Sequence, residues 1–368
     1  MRLLSYISST SWGGLEMNAV RYVHWFAEAG AEVKLICVAH TPVHQRALEL
    51  GLDVQTAPRN RKYFDWKSAR ALAGEVNAFA PDVLWFRDNR DMDVLAWTKV
   101  FARRPFKLVY HQAMQLGVAK KDPLHTWRFR KIDTWIALLP FLAEQVATQT
   151  KFPRTRIATV PLGQEAERFS PEQHTRSEAR AALKLPDDAW IAGIIGRIDP
   201  LKRQLEAVNA VAALQTQGHD VHLLLMGEPT HGEGLAYMES VQAAIAQHGL
   251  QEVVHLRPYS PQVALAYRSL DVFVMASAGE TFGNVTVEAM LSRVAVLGTN
   301  TSGTPEILDH GKAGMLFDPD AQTGLTQALQ SLYTQLETVD ALAEAGYQRA
   351  LKHYTKQVVL DQLQKLLA

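Results

Sequence analysis

Ser269-Leu-Asp-Val-Phe-Val-Met275 and, one residue on, Ser277-Ala-Gly-Glu-Thr-Phe-Gly-Asn-Val-Thr-Val-Glu288-Ala-Met290 decide how this chain folds. The first run is short and apolar, the pattern of a buried strand; the second begins as a polar, glycine-containing loop and passes at Val285 into helical spacing. Glu280 therefore falls on the loop at a strand's C-terminal edge, and Glu288 about one turn inside the helix. In an open parallel α/β sheet that edge is where ligands bind, and the helix N-terminus offers amide donors and the positive end of a dipole. A carboxylate there suits hydroxyls or a developing cation. The plain alternative is a solvated glutamate with a second acid eight residues along the helix.

Working outward, short apolar runs alternate with amphipathic helical stretches, the signature of parallel sheets wrapped by helices. Strands are expected at Arg2 to Ile7, Glu32 to Val38, Val54 to Ala57, Val83 to Phe86, Lys107 to Tyr110, Thr134 to Leu138 and Arg156 to Val160. The series breaks at Pro161-Leu-Gly-Gln-Glu-Ala-Glu-Arg-Phe-Ser-Pro171, which reads as a linker. It resumes at Trp190 to Ile195, Val221 to Met226, Val253 to Leu256, Val272 to Met275, Val294 to Gly298 and Met315 to Phe317, with helices of ~12 to 18 residues between. The fold class is α/β, with two Rossmann-like domains, 1–165 and 166–350, expected to face each other across a central cleft. The last helix, within 351–368, is expected to pack across the junction.

A length of 368 residues suits two domains, and 47% hydrophobic with 21% charged residues is ordinary for a globular chain. The formal net charge of zero argues against a nucleic-acid partner but hides an asymmetry: 23 Lys+Arg against 15 Asp+Glu from Met1 to Glu165, and 15 against 23 thereafter. The first half faces an anionic partner or the acidic half itself. The single cysteine, Cys37, lies in an apolar run and reads as a buried strand residue. The N-terminal apolar stretch is too short for a signal peptide, and no run approaches a membrane span, so the expectation is a cytoplasmic protein, at most peripheral to the inner face of the cell membrane.

Further constellations lie at expected strand ends. Ser11-Trp-Gly-Gly-Leu-Glu16 follows the first strand and opens a helix; Gly13 and Gly14 let backbone approach a phosphate, or form a plain turn. Gly193-Ile-Ile-Gly-Arg-Ile-Asp-Pro-Leu-Lys202 ends a strand and sets Arg197 and Lys202 five residues apart, which suits a diphosphate or an exposed basic turn. His111 ends the fifth strand, as a hydroxyl partner or a structural histidine. Gly298-Thr-Asn-Thr-Ser-Gly-Thr-Pro-Glu306 is another glycine-containing turn, with Pro305 and Glu306 fitted to a first helical turn.

In this order the motifs resemble family 4 of the retaining nucleotide-sugar glycosyltransferases, the large GT-B group, most densely from Gly193 to Pro319. Gly196-Arg-Ile-Asp-Pro-Leu-Lys202 looks like the family's G-R-x-x-x-x-K, Glu280 to Glu288 like its paired-glutamate motif, and Ser302-Gly-Thr-Pro-Glu-Ile307 like its S-G-G-x-P-E. The resemblance implies a nucleotide-diphosphate sugar as donor substrate and neither cofactor nor metal. It implies that Arg197 and Lys202 hold the diphosphate and that Glu280 holds sugar hydroxyls. By the same resemblance Phe282, Gly283, Asn284 and Val285 would line the donor. Glu288 would take the ribose, Gly13 and Gly14 would meet the phosphate, and His111 would contact the sugar near the reacting carbon. Thr304 replaces a usual glycine, and Pro258 and Tyr259 stand in a base-proximal loop where glycine is common, which leaves the nucleotide open.

Acceptor contacts are expected from the basic N-terminal half: Glu16, then Arg59 to Lys67, Arg87 to Arg90, and Lys120, Lys121 and Arg128. Basic residues interleaved with aromatics suit an anionic membrane surface, a phosphorylated acceptor or a solvated rim. The implied reaction is hexosyl transfer to a carbohydrate or glycolipid acceptor in bacterial-type surface polysaccharide, lipopolysaccharide or glycolipid synthesis. A GT-B phosphorylase, a sugar-nucleotide epimerase and a non-catalytic sugar-nucleotide binder are the alternatives. A nicotinamide oxidoreductase is disfavoured, because G-x-G-x-x-G is missing after the first strand.

Overall fold

Near-continuous apolar runs such as Val83–Phe86 and Val272–Met275 are buried at every position, as strands covered on both faces must be. The computed structural model describes residues 1–368 other than His231 and Ala278. The chain divides into two units, Met1–Pro161 with Leu360–Ala368, and Leu162–Val359.

The first unit holds β1 (Arg2–Ile7), β2 (Glu32–Cys37), β3 (Val54–Thr56), β4 (Val83–Phe86), β5 (Lys107–His111), β6 (Thr134–Ala137) and β7 (Ile157–Thr159). The second holds β8 (Trp190–Ile195), β9 (Val221–Met226), β10 (Val254–Arg257), β11 (Val272–Met275), β12 (Ala295–Thr299) and β13 (Met315–Phe317). Every expected strand is present, within a residue or so at its ends.

Between them run α1 (Gly14–Glu28), α2 (Pro42–Glu49), α3 (Trp66–Phe79), α4 (Met92–Phe101), α5 (Pro123–Arg130), α6 (Pro140–Gln149) and α7 (Arg176–Leu183). The second unit continues with α8 (Gln204–Thr216), α9 (Glu233–Gln247), α10 (Val263–Ser269), α11 (Asn284–Leu291), α12 (Thr304–Ile307), α13 (Gly324–Thr334) and α14 (Leu336–His353); α15 (Lys356–Leu367) ends the chain. Several helices are shorter than the expected ~12 to 18 residues, because local backbone signals stop them. Lys184 ends α7 in the left-handed region at φ 53°, and Arg293 follows α11 at φ 55°.

The sheet orders are β3-β2-β1-β4-β5-β6-β7 and β10-β9-β8-β11-β12-β13. All pairings are parallel, with β1 joined to β2 and β4, and β8 to β9 and β11. Each sheet thus reverses its strand order once, between β1 and β4 and between β8 and β11, and such a reversal opens a crevice at the strands' C-terminal ends. Large side chains, among them Trp25, Trp85 and Trp135, fill the first unit's interior. The stretch expected as a linker is ordered within the second unit: Gln164 donates its N–H to Tyr354 and accepts from Lys356, and Phe169 is buried edge-on to Tyr267.

The loops after β8 and β9 lie backbone to backbone. Gly196 N–H donates to Met226 at 2.9 Å, and Ile198 N–H to Glu228 at 2.8 Å. Gly227 has φ 156°, and a Cβ there would fall 1.9 Å from the Gly196 carbonyl oxygen. Gly227→Ala is therefore expected to destabilise the protein by at least ~2 kcal/mol, read as a lowered melting temperature; an unchanged melt would contradict this account of the loop pair.

Candidate active site

At the β8/β11 crevice, two turns from neighbouring strands meet. A short 3-10 turn, Pro200–Lys202, follows β8, capped by the Asp199 carboxylate on Leu201 N–H at 3.0 Å. Gln204 donates its amide to the Arg197 carbonyl at 2.9 Å and fixes the turn's start. On the other side, Gly303 N–H donates to the Glu280 carbonyl at 3.1 Å, tying the loop after β11 to the loop after β12. Gly283 caps α11 in the left-handed region at φ 81°, where a Cβ would press on the Glu280 Cγ at 3.0 Å.

This framework brings Lys202 Nζ to 2.7 Å from Glu280 Oε2, with about a fifth to a quarter of each side chain exposed. Arg197 extends into solvent, 71% exposed, with Asp199 3.9 Å away. Glu288 accepts a 2.8 Å hydrogen bond from the hydroxyl of Tyr267, a wholly buried residue; burial and the adjacent carboxylate hold that phenol well above its ordinary range. The Asn284 side-chain oxygen accepts from Gln164 at 2.9 Å, Phe282 is buried against Tyr354, and Val285 is half-buried in the first turn of α11. Tyr259 is exposed and lines an open recess of about 460 Å³ with Met226, Arg257 and Pro258. Thr304, in the place of a usual glycine, is buried with its methyl over Gly298. Sequence reasoning missed Tyr267 and Gln164, since neither stands in a motif.

In the first unit the strand ends carry a different chemistry. Glu16, expected to face the acceptor, is buried and turned back on its own helix: it accepts from Ser9 Oγ at 2.5 Å and from Gly13 N–H at 3.0 Å. Gly14 is exposed, and nothing lies within 4 Å of where its Cβ would stand. His111 does end β5, but its ring is fully buried between Tyr22 and Trp85. Arg87, expected on the acceptor side, is buried too, its NH1 2.6 Å from His111 Nδ1. A guanidinium can only donate, so Nδ1 carries no proton. Burial first, and then the Arg87 charge, push the His111 pKa well down, so the ring is neutral.

Asp91 sits beneath β1, hydrogen-bonded by the Ser8 hydroxyl and by Ser8 N–H at 3.1 Å. Burial and the charge of Asp88 raise its pKa to about 7. Lys120 is half-buried and Lys121 exposed ahead of α5, and Arg128 is buried on that helix.

The family model described as Glycosyltransferase Family 4 matches residues 12–168, and that described as Glycosyl transferases group 1 matches 175–349. The chain belongs to glycosyltransferase family 4. It is similar to a D-inositol 3-phosphate glycosyltransferase of Streptomyces avermitilis, 36% identical over 49% of this chain and 40% of the relative. It is also similar to one of Corynebacterium urealyticum, 31% identical over 54% and 48%. The chain thus spans less than half the length of either relative. Its fold is that of the GT-B structures: a glycosyltransferase from Rickettsia africae superposes with a TM-score of 0.86 at 17% identity, covering 100% of this chain and 97% of that one. Anabaena HepE in complex with UDP gives 0.84 at 19% identity, covering 100% and 99%.

Because the folded-state pKa of Asp91 lies above its unfolded value, its contribution to stability is complete below the ordinary carboxylate range and is lost as pH rises through about 7. Asp91→Asn is expected to reduce the fall in stability between pH 4 and 8, followed by urea denaturation; an equal fall in both proteins would contradict the assignment.

Proposed function

We propose that this protein is a retaining, metal-independent glycosyltransferase that moves a hexose from a nucleotide-diphosphate sugar to an acceptor hydroxyl, in the synthesis of a bacterial-type surface polysaccharide, lipopolysaccharide or glycolipid. The observation that carries the proposal is the 2.7 Å contact of Lys202 and Glu280 at the strand-order reversal of the second unit. A donor's diphosphate competes with Glu280 for the Lys202 ammonium, and Arg197 adds a second cation. Displaced from Lys202, the Glu280 carboxylate accepts from hydroxyls of the transferred sugar. First-turn amides of α11 face the donor's negative charge, and Glu288, oriented by Tyr267, takes the ribose hydroxyls.

Departure of the nucleoside diphosphate leaves an oxocarbenium-like sugar. The two cations stabilise the charge on the leaving group, and its phosphate takes the acceptor's proton as the hydroxyl attacks the same face. The neutral His111 ring at the end of β5, packed edge-on to Tyr22 and Trp85, is a proposed hydroxyl partner. UDP in the solved Anabaena structure, and the inositol phosphate in the relatives' names, support a nucleotide-sugar donor and a hydroxylated acceptor. Peripheral contact with an anionic membrane is supported by exposed Tyr63, Phe64 and Trp66 among Arg61, Lys62 and Lys67. No helix among the described residues is long and apolar enough to cross a membrane.

Incubation with a panel of nucleotide sugars, with nucleoside diphosphate release as the readout, separates transfer or hydrolysis from binding and from epimerisation. Lys202→Ala is expected to lower turnover at least ~100-fold, the size of a lost transition-state contact. Near-normal transfer by that variant would overturn the proposal.

A further inference from the structure

β8, β9 and β10 are neighbours in the second sheet, and backbone bonds link the loops that leave their C-terminal ends. The loop after β8 is tied to the loop after β9 through Gly196 and Ile198. The loop after β9 is tied in turn to β10, by Gly227 N–H on the Arg257 carbonyl at 3.0 Å and by Tyr259 N–H on the Glu228 carboxylate at 3.3 Å. The open recess of about 460 Å³ stands at the ends of β9 and β10, lined by Met226, Arg257, Pro258 and Tyr259 with Leu183 and Lys184 from the end of α7. Adjacent strands are about 4.8 Å apart, so the recess lies one to two strand spacings from the turn that carries Arg197 and Lys202. That matches the reach of a nucleoside whose diphosphate rests on those two cations.

One base is told from another by hydrogen bonds along its edge, and the lining of this recess has little left to offer such an edge. The Arg257 guanidinium is committed to the fold: Nε donates to the Leu183 carbonyl at 2.8 Å, NH1 to Leu256 at 2.9 Å and NH2 to Lys184 at 3.0 Å. The Arg257 carbonyl is engaged by Gly227, Pro258 has no N–H, and Tyr259 N–H is engaged by Glu228. The exposed Lys184 ammonium and the Ser260 hydroxyl remain, the latter already accepting Gln262 N–H at 3.2 Å. Neither sets a donor beside an acceptor, as reading a base edge requires. The recess instead presents apolar surface: the Met226 and Leu183 side chains, the Pro258 ring and the Tyr259 side chain, which is 56% exposed. An aromatic face stacks on any base, because every base has a π-face.

We infer that the base is held by stacking on Tyr259 and packing against Pro258 and is not read along its edge, so that the site takes uridine, guanosine and adenosine diphosphates alike and selects its donor by the sugar. This rests on the nucleotide-sugar reading and concerns which nucleotides that site admits. A site built to hydrogen-bond its ligand rejects an analogue lacking the group by ~10,000-fold or more, whereas stacking tolerates every base. An open compartment of about 460 Å³ admits a purine as well as a pyrimidine.

Titration calorimetry of the full chain with UDP, GDP, ADP and inorganic diphosphate tests the inference. The three nucleoside diphosphates are expected to bind within ~10-fold of one another, and inorganic diphosphate more weakly than any of them, for want of stacking. Tyr259→Ala is expected to weaken all three by a similar ~10-fold and to leave inorganic diphosphate unaffected, while Tyr259→Phe, which keeps the ring, restores the wild-type affinities. Tyr259 is exposed, so both variants are expected to fold, and unchanged melting temperatures check that. A preference of ~100-fold or more for one base, or a loss in Tyr259→Ala that is absent or confined to one nucleotide, would overturn the inference and leave the donor reading standing. Failure of Tyr259→Phe to restore binding would place the contact in the hydroxyl and overturn it equally. Absence of binding by all four ligands to the wild type would instead remove the reading beneath it.

Discussion

An ammonium and a carboxylate from two different strand-to-helix turns, Lys202 after β8 and Glu280 after β11, are held 2.7 Å apart, and the candidate site depends on that distance. Neither residue could reach the other if β8 and β11 were not neighbours in the sheet. The positions are over-determined. The turn after β8 is tied to the loop after β9, the Glu280 backbone is tied to Gly303, and Gly283 gives the chain the left-handed step that returns it into α11. A partly exposed ion pair of this kind adds modestly to stability, and its proposed value lies in chemistry, each member being the other's replaceable partner. In the proposed function a diphosphate takes the carboxylate's place on Lys202, and sugar hydroxyls take the ammonium's place on Glu280.

The first unit uses the same topology in another way. At its own reversal, between β1 and β4, carboxylates are turned inward: Glu16 caps α1, and Asp91 holds Ser8. The cations around them do not neutralise these acids. Arg128 stands apart from a hydrogen-bonded partner, and Lys62 and Lys120 line a recess beside it. The excess positive charge of residues 1–165 is therefore concentrated partly in a built feature rather than spread over a solvated rim. Arg87 is the exception, buried and resting on a neutral histidine; burial brings even its guanidinium pKa down to about 10.

The fold was legible because parallel strands covered on both faces are nearly continuous apolar runs, and each of those runs became a strand. The Glu280 and Arg197 motifs were legible because Gly279 and Gly196 each set a charged residue beside a glycine at a strand end. Strand order was not legible in the periodicity, since it depends on contacts between distant segments, and only the family resemblance set the turns of Lys202 and Glu280 against one donor. Helix lengths were overestimated, because positive-φ stops at Lys184 and Arg293 leave no mark in hydrophobic periodicity. Burial misled in the basic segments: Arg87 and Arg128 look like surface charge in the sequence, yet Arg87 sits against His111 and Arg128 in the wall of a recess. Tyr267 and Gln164, which hold Glu288 and Asn284, lie outside any motif, and long-range hydrogen bonds alone identify them.

The central claim is that Lys202 exchanges Glu280 for a donor's diphosphate. The most direct test is a double-mutant cycle on the affinity of whichever of UDP, GDP or ADP stabilises the protein most in a melting screen. The account predicts that Glu280→Gln tightens nucleoside diphosphate binding while Lys202 is present, and that the gain vanishes in the Lys202→Ala background. Weaker or unchanged binding on Glu280→Gln, with Lys202 intact, would contradict it.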